Sequence, residues 1–364
     1  MKLKIQNTFI LCCTFLLVAT ISCHSKSQFN PENKIVQIKT DSLSLKFTTG
    51  VRSILEDSKG NIWFGSYNEG ACLLQNGKLH YFTTENGLSN NQVRNIYEDK
   101  NGVIWFECGM GLSTYAHEKM AVFNERNYNT PKQAKLSNTD LWFKSDASFG
   151  NSQLEKKSGV YQYDGKELYY HPFVITDKSG QEIPWEKSTD FVRSKNGMIW
   201  FGAYSELIGY DGKQLISFNN ESVGLNGTTE NLHIRSLMED SKGNLWIGNN
   251  CGGGRSGIGV LKYDGKNFIQ FTKQHHLRTD DTGGNSLDKV FSMCEDNSGN
   301  IWFGTNESGA WRYDGHSIKN YTKEQGLDSG IVWVIYKSKS GELWLGGGPN
   351  GVYSFNGTTF ERKY

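Results

Sequence analysis

The chain lacks most of the residue patterns that mark common enzyme and carrier classes. Proline is scarce, 5 in 364 residues, which excludes collagen-like and polyproline architectures. Cysteine numbers 7, and no C-x-x-C or other zinc spacing occurs. No G-x-S-x-G, P-loop or H-E-x-x-H motif is present. Neither charge sign dominates: 39 basic against 38 acidic residues leave a net charge of +1, so there is no electrostatic footprint for nucleic acid. Long apolar runs are missing too. The one candidate, Phe9–Ile21, is too short for a membrane span.

That run follows the basic start Met1-Lys2-Leu3-Lys4 and ends at Cys23, the order of an export signal. "ATISC" resembles the lipobox of bacterial lipoproteins, although Thr20 stands where leucine is commonest. The resemblance implies a signal peptide over 1–22, a lipid anchor on Cys23, a tether over 23–41 and a folded region over 42–364. The expected location is the bacterial envelope, periplasm-facing, with membrane contact through the lipid alone. Cys72, Cys108, Cys251 and Cys294 remain, widely spaced, and read as lone buried thiols.

What the chain has in abundance is glycine, 41 residues, and aromatics, 13%. These favour many short strands joined by tight turns. "LEDSKGNIWFG" (Leu55–Gly65) recurs as "MEDSKGNLWIG" (Met238–Gly248) and "CEDNSGNIWFG" (Cys294–Gly304). Seven such units centre on Trp63, Trp105, Trp142, Trp200, Trp246, Trp302 and Trp344, about 37–58 residues apart. A period of about 40–50 residues belongs to propeller blades. In the sixth unit the spacing predicts strand a at Val290–Cys294, b at Asn300–Gly304, c at Gly309–Tyr313 and d at Ser317–Thr322. Asp164-Gly165, Asp211-Gly212, Asp264-Gly265 and Asp314-Gly315 read as hairpin turns between c and d. The fold class is therefore all-β: a seven-bladed propeller of four-stranded antiparallel blades. Either Ser42–Gly50 or Thr358–Tyr364 should supply the strand that closes the last blade.

The recurrence also assigns the acidic pairs. Glu56-Asp57, Glu98-Asp99, Glu239-Asp240 and Glu295-Asp296 could pass for acid–base carboxylates. An active site needs one such pair, whereas a turn needs one per blade, so they are read as structural.

These residues carry a family likeness. The pattern EDxxGNIWFGT…YDG…F…YT…GL resembles the two-component regulator propeller repeat, most clearly in units one, five, six and seven and least in unit three. That repeat builds periplasmic sensor regions of hybrid two-component systems, whose members sense glycan fragments or related ligands. The resemblance implies a binding propeller. With no kinase core, receiver or helix-turn-helix in the sequence, no signalling output of its own is expected. A weaker likeness to the streptogramin lyase propeller rests on Glu107 in "WFEC" and points to a lyase or hydrolase alternative using Glu107 with His233 or His275. A protein-assembly scaffold is a further alternative.

Loop lengths place the expected site. The a–b and c–d turns are short and repetitive, while the b–c and d–a loops on the other face vary (Lys144–Ser158, Pro172–Thr189, Asn219–Leu232, Asn249–Gly257, Lys273–Asp288), and loops on a rigid scaffold carry function. Four residues before each turn Glu or its equivalent stand Arg52, Arg94, Thr189, Arg235, Phe291 and Trp333. Arginine forks suit carboxylate or sulfate, and aromatic faces suit sugar rings or cations. The candidate ligand-binding set is Arg52, Arg94, Arg235, Phe291 and Trp333, joined by Tyr67, Glu107, Tyr204, Asn249, Arg255 and Asn306 from the b–c loops. The alternative is that the arginines pair with loop carboxylates and the aromatics only fill the channel. His233, His275 and His276 with Asp280 and Asp281 show no metal-ligand spacing. No metal or cofactor is expected. The expected partner is a glycan or other small ligand, or an envelope protein.

Overall fold

The computed structural model describes residues 43–123, 136–144, 159–183, 185, 187–225, 230–250, 257–277, 286–349 and 351–364. The expected signal, Cys23 and the tether lie outside them, as do Arg255, Cys251, Asp280 and Asp281.

Seven blades form an all-β propeller. Blade 1 runs a (Val51–Glu56), b (Ile62–Ser66), c (Ala71–Gln75), d (Lys78–Phe82), each antiparallel to the next. Blades 2 and 4–7 repeat that order. Their a strands are Val93–Glu98, Val192–Arg193, Ile234–Glu239, Val290–Glu295 and Val332–Lys337. Blade 3 shows three strands among the described residues: Leu141–Lys144, Val160–Tyr163 and Leu168–His171. In blade 6 the predicted strands are met to within one residue at every end. The d–a loop after blade 3 forms a small hairpin, Ile175–Thr176 with Glu182–Ile183. Among the described residues no helix is long and apolar enough to cross a membrane.

The repeated residues hold the ring in two ways. Each Asp of the acidic pairs folds its own turn. Asp57 accepts from the backbone N–H of Lys59 and Asn61 and from the indole Nε1–H of Trp63 at 3.0 Å. Asp99, Asp240 and Asp296 take the indole N–H of Trp105, Trp246 and Trp302 in the same way. A buried indole N–H needs such a partner. Each Glu instead reaches across to the preceding blade. Glu98 accepts from Ser58 N, Glu239 from Lys195 N, Glu295 from Ser241 N and Glu56 from Lys339 N. The last of these ties blade 7 to blade 1. All four acidic pairs are thus turn and staple residues.

The tryptophans fill the wedges between blades. Trp63 packs on Phe106 and Tyr115 of blade 2, and Trp246 on Phe303 and Tyr313 of blade 6. Trp63 and Trp302 are fully buried, each worth a few kcal/mol of apolar burial. A glycine on strand b permits the close approach. A Cβ on Gly65 would lie 2.2 Å from Ser53 Oγ and 2.6 Å from Val93 Cγ1 of the next blade.

The chain's C-terminal end closes the last blade. Phe360–Arg362 pairs with Val352–Phe355 as strand d. Ser42–Gly50 adds no strand in its described part. It packs Leu45 and Phe47 into a cluster with Val51, Phe64, Trp344 and Val352 across the seam. Each four-stranded blade among the described residues is thus contiguous in sequence, and side chains seal the ring.

Candidate functional site

The inner strands carry a feature that aims side chains inward. Five of them share a register shift against strand b between their first and third residues: Val51/Ser53, Val93/Asn95, Ile234/Ser236, Val290/Ser292 and Val332/Val334. The extra residue is Arg52, Arg94, Arg235, Phe291 and Trp333 in turn. A β-bulge leaves one residue unpaired and re-aims its side chain. Five of the six residues singled out by counting back from the turn are therefore bulge residues. All five line one central cavity of about 300 Å³.

Their surroundings form two aromatic–arginine groups. Arg52 lies 5.7 Å over the ring of Tyr67, which stacks on Trp333 at 5.2 Å. The indole of Trp333 donates to Asn306 Oδ1 at 2.7 Å. In the second group Arg235 lies 5.2 Å from the ring of Phe291 and 5.7 Å from that of Tyr204, and Tyr204 packs on His233 at 5.0 Å. Tyr67 and Tyr204 are 42% and 44% exposed, so both present ring surface to an incoming molecule. Cation–π contacts orient the guanidiniums without neutralising them.

No carboxylate lies within ion-pair distance of Arg52, Arg94 or Arg235 among the described residues. Arg94 donates from Nε to Gln92 Oε1 at 3.0 Å, and Arg235 Nε is buried without a hydrogen-bond partner. Burial, then the charges of Arg94 and Arg235, pull the guanidinium of Arg52 below its ordinary pKa. Three like charges face one space, an arrangement an anion would relieve.

Blade 4 departs from the pattern. Its inner strand is short, and Lys187 forms an isolated bridge with Ala203. Thr189, expected at the funnel position, is buried and accepts at Oγ1 from Gly202 N. Thr189 and its neighbour Asp190 both line the cavity. Asp190 is open to channel water yet ringed by protein. That confinement raises its carboxyl above the ordinary value, against the opposing pull of Lys187. Counting one residue per strand reached Thr189 and so passed over Asp190 beside it.

Glu107 occupies the strand b position where blade 1 has the close-packed Gly65. Both of its oxygens are engaged. Lys187 Nζ is 3.0 Å from Oε1, Asn95 Nδ2 donates to Oε2 at 2.7 Å, and Lys144 N donates to Oε1 at 2.7 Å. Both ionic side chains are about 95% buried. Burial alone would raise this carboxyl, but Lys187 and the two N–H donors hold it below the ordinary range. Glu107 is therefore an ionised, fully partnered wall residue at neutral pH.

Of the other candidates, Asn249 is fully buried and turned into its blade, donating to Gly259 O and accepting from His233 N. His275 packs on Phe271 and Tyr313. Neither His233 nor His275 lines the cavity that Glu107 borders.

Fold and channel together define a seven-bladed propeller with a cationic, aromatic-lined central cavity. The two component regulator propeller family matches residues 46–68, 87–106, 229–251 and 284–307. Four repeats of this chain thus match the two component regulator propeller repeat. The matches fall on blades 1, 2, 5 and 6, those with a Glu-Asp pair. Blade 7, whose likeness looked equally strong, carries Lys337-Ser338 there, and Ser338 makes the same turn with its hydroxyl.

Among solved structures, the chain is similar to the extracellular domain of BT3049 from B. thetaiotaomicron, a protein described as a hybrid two component system. Identity is 20%, the TM-score 0.60, and the match covers 85% of this chain and 39% of that one. The chain thus spans about two fifths of that domain. It is also similar to virginiamycin B lyase from Staphylococcus aureus, solved with quinupristin, at 12% identity and TM-score 0.55, covering 85% and 96%. A third is YCF48 bound to the D1 peptide, at 11% identity and TM-score 0.51, covering 85% and 92%. At these identities the likeness is one of fold. No curated protein sequence matches.

Proposed function

We propose that this chain is an extracytoplasmic binding propeller, lipid-anchored at Cys23 on the periplasmic side, whose channel takes a small anionic ligand in a sensing or capture role. The carrying observation is the convergence of Arg52, Arg94 and Arg235, none within ion-pair distance of a carboxylate among the described residues, on one cavity flanked by exposed aromatic rings. Guanidinium forks recognise carboxylate or sulfate, and aromatic faces cover a sugar ring. An acidic oligosaccharide fragment combines both features and is the ligand class the site fits best. The extracellular domain of BT3049, with the same fold, supports the location and the sensing role.

The lyase-like alternative gains little from Glu107. A carboxylate held ionised with both oxygens occupied has no proton to give and no free lone pair directed at a substrate.

The test is a thermal-shift screen against neutral, uronic and sulfated oligosaccharides. A ligand that binds the native state alone raises the midpoint by mass action. A rise with acidic but not neutral sugars is expected. A flat response to every acidic ligand would overturn the anion reading and favour a protein partner.

A further inference from the structure

The channel contains one carboxylate that the blade-to-blade staples and the Glu107 ion pair do not use. We infer that Asp190 is the resident counter-anion of the channel, so that an incoming anion binds against it and binding draws a proton onto it. This rests on the anion reading above and adds a specificity-determining residue to it.

The geometry singles out Asp190. Around the ring the cavity is lined by Arg52, Arg94, Thr189 with Asp190, Arg235, Phe291 and Trp333, from blades 1, 2, 4, 5, 6 and 7. Its backbone is pinned: Thr189 Oγ1 donates to Asp190 O at 2.7 Å and accepts from Gly202 N at 2.8 Å. Ser188 Oγ donates to Ile234 O at 2.7 Å on the neighbouring blade. These bonds fix the backbone from which the Asp190 side chain projects.

The charged and titratable groups that face it come from every surrounding element. Arg52 and Arg94 reach in from blades 1 and 2, and Arg235 from blade 5. Blade 2 also brings Asn95, whose amide reaches both Glu107 and Asp190, and the phenol of Tyr97. Lys144 belongs to blade 3 and Tyr336 to blade 7. Lys187 is already bound to Glu107. Glu107 repels the Asp190 carboxylate, while Lys187 and Arg52 attract it. Asp190 is thus the channel anion whose charge state is easiest to change, since Glu107 is held ionised. A bound anion adds further negative charge beside it. The proton-bound form of Asp190 is then favoured, and by linkage affinity for anions rises as pH falls.

The experiment is calorimetric titration of the full chain with inorganic sulfate, which stays dianionic from about pH 4 to about pH 8. The wild type is expected to bind sulfate about tenfold more tightly at the acid end, the equivalent of one pKa unit of coupling. Asp190→Asn should bind at the acid-end affinity throughout, with no pH slope. Sulfate binding that is independent of pH, or a slope that survives in Asp190→Asn and so belongs to His233 beside Arg235, overturns the inference and leaves the anion site standing. Loss of binding in a folded Asp190→Asn chain, shown by an unchanged melting profile, overturns it too. Absence of sulfate binding in both chains overturns the inference and the anion reading together.

Discussion

Replacing Glu107 by Gln tests the wall of the channel most sharply. The substitution keeps the shape and one acceptor oxygen but removes the charge, leaving the Lys187 ammonium about 95% buried with no anion in contact. At 3.0 Å the pair attracts by about 5 kcal/mol at an effective dielectric constant of about 20. Breaking a buried pair from one side costs about 3–5 kcal/mol. The expected loss in urea denaturation is of that size at pH 7, enough to lower the midpoint visibly. Replacing both partners, Glu107→Leu with Lys187→Met, should recover most of it, because no charge is then stranded. Recovery should be incomplete, since Asn95 and the Lys144 N–H lose their acceptor. The pH dependence has a definite sign. The folded-state carboxyl lies below its ordinary value, so its contribution is complete above the unfolded value of about 4.3 and is lost as pH falls through the folded one. The gap between wild type and Glu107→Gln should therefore narrow below about pH 4. A Glu107→Gln chain as stable as wild type at pH 7 would refute the buried-pair account.

Three further outcomes follow from the ring. Asp296→Ala removes the acceptor of the Trp302 indole at 2.8 Å and should cost about 1–3 kcal/mol, with a shift in tryptophan emission; no change in either would contradict the hydrogen-bond assignment. Gly65→Ala places a methyl 2.2 Å from Ser53 Oγ at the blade 1–blade 2 contact and should cost about 1–3 kcal/mol as overpacking, read by denaturation. Burial pushes the Cys72 thiol up to about 12 and raises Cys108 as well, so both should resist a thiol reagent at pH 8 in the native protein and react once it is unfolded.

The ring was legible because its parts repeat. Trp63 and its equivalents, the Asp three residues before each turn glycine and the Asp-Gly hairpins each do one job per blade, and a job done several times shows as a period. The same logic took the Glu-Asp pairs out of the catalytic account, although the cross-blade role of Glu56 and Glu98 required contacts that the sequence does not display. The channel was legible in part. Arg52, Arg94, Arg235, Phe291 and Trp333 stand at one fixed offset because one bulge recurs at one place. Asp190 escaped because a single-blade irregularity leaves no period, and the count landed on its neighbour Thr189. Glu107 was visible as an oddity in "WFEC", but its partner Lys187 is 80 residues away, and only the folded ring brings them together. Asn249 looked like a loop ligand by position, while its side chain serves its own blade. The closing strand could be narrowed to two segments by likeness; pairing of Phe360–Arg362 with its neighbour decided between them.

The most direct test of the central claim is equilibrium binding of a sulfated or uronic oligosaccharide to the wild type and to the Arg94→Ala/Arg235→Ala double variant. Both arginines are bulge residues of the channel wall and neither is in an ion pair among the described residues, so the variant should fold and melt like the wild type. The account predicts saturable binding to the wild type, weakened at least tenfold in the variant at unchanged stability. Equal affinity in the two chains would place the ligand elsewhere and contradict it.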